Sequence, residues 1–200
     1  MQPIAYPIHI FSAMDAWAVF HSWLAALRTK QLARELFGEQ IDRYYRLIFV
    51  GVAILTLAPI LGMVVFLPSR LIWRIPLPWL YLTVFIQCLA LVGLIVTVFQ
   101  TDLLTFSGFR QLADPKAEAS HALVTDGMYG MVRHPIYLFS ILIFWLFPYM
   151  TDLILAVVIA STLYFVFGTI PEERKMIETH GKTYLKYRDR VPRLIPWTKP

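Results

Sequence analysis

The sequence predicts an all-α polytopic membrane bundle of about five transmembrane helices, closed by a helical, basic, cytoplasmic C-terminal tail. Three observations predict it. Only 16% of the 200 residues are charged and 58% are hydrophobic, with mean hydropathy +0.61; a soluble domain carries about 25% charged residues. Several uncharged runs reach the ~20 residues needed to cross a hydrocarbon core of about 30 Å. The basic residues lie between these runs rather than inside them.

In chain order, the first expected span is Ile8–Leu27, which holds His9, Asp15 and His21. A charge at mid-bilayer costs on the order of 3 kcal/mol, so Asp15 is expected near an end or facing the interior. Leu47–Ser69 and Trp79–Gln100 each run without a charge and are each long enough to span. Ile136–Met150 is uncharged but short, and Leu153–Pro171 is uncharged and close to a full span. These last two read as a tight helical hairpin turning at Pro148–Asp152. The chain thus divides into an N-terminal membrane region, 1–100, and a module of loop, hairpin and tail, 101–200.

The loops orient the bundle. Lysine plus arginine number none before Arg28, five from Arg28 to Arg46, two at Arg70 and Arg74, three from Thr101 to Pro135 and eight after Pro171. Alternation across five spans puts sixteen on one side and two on the other. Basic short loops stay in the cytoplasm, so the N-terminus is expected outside and the tail inside. The net charge of +5 is therefore read as topology and contact with membrane lipids, with no nucleic-acid partner expected. The lone Cys88 excludes an intrachain disulfide and a multi-cysteine metal site, and no metal is expected. No basic segment precedes the first apolar run, so no signal peptide is expected.

Three polar clusters could carry chemistry. The first is Gly127-Met128-Tyr129-Gly130-Met131-Val132-Arg133-His134-Pro135-Ile136-Tyr137. Thr125-Asp126-Gly127 reads as a turn, His134 as extended because a proline follows, and Pro135 as the first residue of a helix. Free N–H groups at that start, with the Arg133 fork beside them, could hold a carboxylate; a juxtamembrane anchor explains the same residues. The second cluster is Pro171-Glu172-Glu173-Arg174, where Pro171 looks like another helix start with two stabilising acids in its first turn. The third runs from His180 to Pro196; Tyr184 and Tyr187 share one helical face, and a basic helix on anionic headgroups accounts for the rest. Asp102 and His21 stand apart, His21 as a packed residue or one lining a substrate cavity.

These clusters, in this order, resemble the membrane methyltransferase superfamily. It includes isoprenylcysteine carboxyl methyltransferases, phospholipid N-methyltransferases, and NnrU-like and methanethiol S-methyltransferase branches. The match covers the C-terminal part of the chain from Gly127 to Pro196, with a weaker likeness through His21-Ser22 and Tyr44-Tyr45-Arg46. The resemblance implies S-adenosylmethionine as methyl donor, bound at the cytoplasmic face between hairpin and tail. It implies cofactor contacts from Tyr129, His134, Pro135, Tyr137, Glu172 and Glu173, and a polar Arg133 at the boundary between cofactor and substrate. Arg133 and Glu173 are taken as the candidate catalytic groups, and His21, from its place in the first span, as the candidate acceptor contact. The expected acceptor is small or lipophilic, a thiol or carboxylate rather than a bulky lipid headgroup. Phe139 stands where many relatives have glycine, and is expected to narrow the space beside the helix start. A non-enzymatic transport or assembly protein, and an NADPH-dependent reductase on a related scaffold, are the alternatives.

Overall fold

The computed structural model describes residues 5–114 and 122–198; Lys116 and Lys199, counted above for topology, lie outside them. The elements run α1 (Ala5–Ala25), α2 (Leu27–Phe37), α3 (Ile41–Phe66), β1 (Leu71–Arg74), α4 (Trp79–Gln100), α5 (Leu103–Ser107), α6 (Phe109–Ala113), α7 (Met128–Met131), α8 (Pro135–Trp145), β2 (Tyr149–Thr151), α9 (Asp152–His180) and α10 (Lys182–Arg188).

Helices α3, α4 and α9 are long and apolar enough to cross a membrane, and α1 with the bent α2 makes a fourth candidate. Their outer faces are apolar: α3 has no buried residue, and α4 buries only Ala90, Gly93 and Thr97. A bilayer is the solvent that suits such surfaces. The protein is an integral membrane helical bundle.

Two long packings hold it together. Helix α1 lies along α9, with Ile10 and Met14 buried against Leu153, Ala156 and Ala160. Helix α4 lies along α8. Helices of the N-terminal half thus pack lengthwise on helices of the C-terminal half. At Ala26 the backbone turns extended, and α2 leaves α1 at 62°. Asp15 departs from expectation: it is exposed, near the middle of α1. The inward face of that helix belongs to Ile10 and Met14, and the residue after Met14 is rotated about 100° away from it.

The hairpin is shorter and more tied down than its sequence suggests. Helix α8 ends at Trp145, and its eleven residues span roughly 16 Å at about 1.5 Å each. The turn is extended, and β2 pairs antiparallel with β1, Trp73 facing Met150 and Arg74 facing Tyr149. Asp152 locks the junction: its N–H donates to the Arg70 carbonyl at 3.0 Å, while its Oδ1 accepts from the Arg70 N–H at 2.9 Å. Thr151 then caps α9, its Oγ1 accepting from the Ile154 N–H.

Pro171 does not begin a helix. It lies inside α9, which continues to His180, so Glu172 and Glu173 are interior residues and the first-turn explanation of the two acids fails. The turn after Pro171 is held instead from the side, by the pairing described below. Phe139 is also corrected. A methyl group at Gly93 would fall 2.6 Å from its ring, so Phe139 seats against α4 instead of narrowing the space beside the α8 start. Gly93→Ala should therefore overpack this contact by about 1–3 kcal/mol, measured as a lower thermal midpoint in detergent. Adding Phe139→Leu should recover part of the loss; no recovery would mean that the ring is not what the methyl meets.

Candidate functional site

The site forms where the segment before α8, the end of α9 and the tail meet. Gly127 opens it with φ +59°, in the left-handed region that favours glycine. A Cβ there would collide with Gln100 Nε2, while Gln100 Oε1 accepts from the Met128 N–H at 3.2 Å. The end of α4 therefore starts α7, and only glycine fits between them. The expected turn is present, with the Tyr129 N–H donating to the Asp126 carbonyl.

Beyond α7 the chain extends and pairs with the tail. The Arg133 N–H donates to the Pro192 carbonyl at 2.9 Å, and the His134 N–H to that of Arg193 at 3.2 Å. Pro135 is the first helical residue of α8, as expected. From the other side the Tyr187 hydroxyl donates to the Tyr129 carbonyl at 2.7 Å. Tyr184 and Tyr187 share the buried face of α10, packed with Val191, Leu123, Met176 and Ile177.

The side chains converge on two carboxylates. Glu173 Oε1 accepts from Arg133 Nε at 2.9 Å and lies 3.2 Å from His134 Nε2, with Arg193 Nε at 3.4 Å. Arg133 and Glu173 are 6% and 5% exposed, so this ion pair is buried. Arg133 Nη1 also donates to the carbonyls of Arg188 at 2.8 Å and Val191 at 2.6 Å. Arg133 is thus no headgroup anchor; its fork is engaged by Glu173 and the tail. Glu172 flanks the other edge of His134. Its Oε2 stands 3.4 Å from Nδ1, an electrostatic contact without hydrogen-bond alignment, and is enclosed with no hydrogen-bond partner. Tyr137 interacts electrostatically with Glu172 and stacks on His134, centroids 5.5 Å apart, with Phe165 stacked 5.0 Å beyond.

Burial alone would favour the neutral imidazole of His134. The contacts with Glu172 and Glu173 and the charges of both outweigh it and raise the His134 pKa above its ordinary value. The ring is therefore biased toward its charged form between two acids.

Tyr129, Arg133, His134, Pro135, Tyr137, Glu172 and Glu173 all gather here, as the sequence leads one to expect. His21 does not. It sits on α1 among Trp17, Phe49 and Tyr164. Asp102 proves structural, capping α5 through the Leu104 N–H and pairing with Arg110 at 2.7 Å. Gln100, Phe165 and Arg193 belong to the site without having been expected there. Gln100 ends an apolar run and Phe165 lies inside one, so neither carries a local signal; Arg193 is one more cation in a basic tail. Among the described residues no group of three or more histidine, cysteine or acidic side chains could hold a metal ion.

Known proteins resemble this chain in sequence. The chain is similar to methanethiol S-methyltransferase 1 of Bradyrhizobium diazoefficiens, 30% identical over 93% of this chain, and spans 65% of that protein's length. It is 27% identical to a methanethiol S-methyltransferase of Crocosphaera subtropica, over 92% of this chain and 72% of that protein. Against a protein-S-isoprenylcysteine O-methyltransferase of Schizosaccharomyces pombe it is 28% identical, over 53% of each chain. No solved structure matches. The sequence model described as phospholipid methyltransferase matches residues 83–183, from the first turns of α4 through the whole Arg133–His134–Glu172–Glu173 cluster to the start of α10, and this chain belongs to that family.

Proposed function

We propose that this protein is an S-adenosylmethionine-dependent integral membrane methyltransferase acting on a small or lipophilic acceptor, with a thiol favoured and a carboxylate next. The observation that carries this reading is Glu172 Oε2, an enclosed carboxylate oxygen without a hydrogen-bond partner beside a biased His134 and a stack of aromatic faces. A buried acceptor of this kind costs about 1–3 kcal/mol unless something donates to it. The amino group or ribose hydroxyls of the methyl donor are suitable donors. The residues present fit the cofactor. When bound, S-adenosylmethionine supplies a methyl group on a sulfonium sulfur, ready for in-line displacement.

Glu172, His134 and Tyr137 are assigned to hold the cofactor, with Tyr129 and Pro135 shaping the wall through α7 and the α8 start. Arg133 and Glu173 are assigned to position His134 and dock the tail. Most of the rate advantage in such a displacement comes from orientation and exclusion of water, which this anchored tail can provide. The methanethiol names of the relatives support a thiol acceptor, and an apolar acceptor can enter laterally from the bilayer. The distribution of basic residues supports an outside N-terminus and a cytoplasmic tail.

Calorimetric titration with S-adenosylhomocysteine tests the reading. The wild-type chain should bind, and Glu172→Gln should weaken binding at least about tenfold. Its thermal stability should stay within about 1 kcal/mol of wild type, because the Glu172 side chain as a whole is 42% exposed even though its Oε2 is enclosed. Equal binding by wild type and variant would remove Glu172 from the site. Binding of NADPH in its place would overturn the methyltransferase reading.

A further inference from the structure

His21 lies outside the cluster above, yet its surroundings are unusual for a merely packed histidine. Its ring stacks on Trp17, centroids 4.8 Å apart, tilts against Phe49 at 4.6 Å and meets Tyr164 edge-on at 6.1 Å. Three different helices, α1, α3 and α9, thus wall it with aromatic faces. The ring is half-buried. Its Nδ1 is enclosed and has no hydrogen-bond partner, while its polar neighbours are engaged elsewhere. Trp17 Nε1 donates to the Ala53 carbonyl and to Thr56 Oγ1, and the Tyr164 hydroxyl pairs with Ser22. Arg46 sits over the Phe49 ring at 5.3 Å and acts on His21 electrostatically. Buried nitrogens are satisfied in most structures, so an enclosed Nδ1 in an apolar cage calls for a hydrogen-bonding partner from outside the chain.

The cage is also continuous with the proposed cofactor site. Tyr164 and Phe165 contact each other at 5.8 Å, Phe165 stacks on Tyr137, and Tyr137 stacks on His134. Tyr164 lies within electrostatic range of both Glu172 and Tyr137. Three aromatic side chains, Tyr164, Phe165 and Tyr137, thus link His21 to His134.

We infer that His21 is a catalytic residue of the acceptor subsite, taking the proton from a small apolar thiol at the edge of the aromatic cluster of Trp17, Phe49 and Tyr164. This rests on the methyltransferase reading above. A flat-walled apolar cage with one basic nitrogen suits a thiol better than a carboxylate, which is already ionised and needs donors rather than an acceptor. The balance is simple. The S–H proton passes to Nδ1, and the acceptor sulfur forms its new bond to the methyl carbon. The methyl–sulfonium bond breaks, and its electron pair stays with the donor sulfur as a neutral thioether. The proton is then lost to solvent.

Acceptor acidity tests the role. An alkyl thiol is largely protonated near neutral pH and needs a base, whereas 4-nitrothiophenol is already ionised. In the full chain in detergent, His21→Gln should slow methylation of ethanethiol by about 10²-fold or more, the usual scale of a general base. Methylation of 4-nitrothiophenol should fall by less than about tenfold, far outside that scale. The ratio of the two rates within one variant does not depend on how much of the preparation is folded. A second readout needs no turnover. In ¹⁵N-histidine protein saturated with S-adenosylhomocysteine, adding ethanethiol should shift the His21 Nδ1 resonance, assigned by its loss in His21→Gln. Equal losses for both thiols, no loss for either, or an unmoved resonance would overturn the assignment. If the wild type binds S-adenosylhomocysteine and methylates neither thiol, the thiol acceptor itself fails, and the role of His21 with it.

Discussion

Glu173→Ala should destabilise the protein by about 3–5 kcal/mol, the range seen when one partner is removed from a buried ion pair. The reason is the company that Glu173 keeps. Its Oε1 receives Arg133 Nε at 2.9 Å, faces His134 Nε2 at 3.2 Å and has Arg193 Nε at 3.4 Å. Truncation leaves a buried guanidinium and a buried imidazole facing each other, with no anion between them except the half-exposed Glu172. His134 then titrates at a lower pH, because one of the two carboxylates that raise its pKa is gone. Thermal unfolding in detergent, followed by helical circular dichroism, measures the loss. Binding of S-adenosylhomocysteine should fall with it, because His134 loses its orientation. A midpoint unchanged from wild type would mean that water reaches this pair and screens it.

Arg133→Ala should rank next, at about 3 kcal/mol, with a different signature. Arg133 donates to the Arg188 and Val191 carbonyls as well as to Glu173. Each orphaned buried acceptor costs about 1–3 kcal/mol. The two carbonyls belong to the strip of chain that crosses behind the α8 start, so the variant should release the tail. Trypsin should then cut at Lys186, Arg188 and Arg190 well before it cuts the wild type, while α8 and α9 stay intact. Arg133→Lys should not rescue this, because an ammonium lacks the planar fork that serves a carboxylate and carbonyls together. The double variant Arg133→Ala/Glu173→Ala should lose less than the sum of the singles, by about 0.5–3 kcal/mol, as groups in direct contact do. Strict additivity would show that the two side chains do not act on each other.

Much of the architecture was legible in the chain because a bilayer imposes length and polarity. Trp79–Gln100 was read residue for residue as α4, since no charge interrupts it and proline and charge bound it. The α8 start was legible for a local reason: His134 before Pro135 can hardly be helical, and Pro135 can hardly be anything but a first helical residue. The pairing of Tyr184 with Tyr187 followed from their spacing alone. Pro171 misled because the same local rule was applied where a tertiary contact overrides it; Glu172 and Glu173, held by His134 and Arg133, keep α9 running through the proline. The β1–β2 ribbon was not legible, because Leu71–Arg74 and Tyr149–Thr151 are too short to announce themselves and pair across α4 and everything between it and α8.

The chain by itself determined that this is a membrane protein, where most of its helices lie, and which three polar segments flank the hairpin and in what order. Those properties are written in hydropathy, charge and proline placement, each acting over a short stretch of chain. Tertiary structure decided what the polar residues do. It turned Arg133 from a headgroup anchor into the buried partner of Glu173, and turned Phe139 away to Gly93 on α4. It left Glu172 Oε2 enclosed beside His134 Nδ1 without a hydrogen bond, and His21 Nδ1 enclosed without a hydrogen-bond partner among aromatic rings. Such outcomes depend on which side chains from distant segments meet out of water, where an ion pair or an orphaned nitrogen carries a free energy that no local pattern encodes.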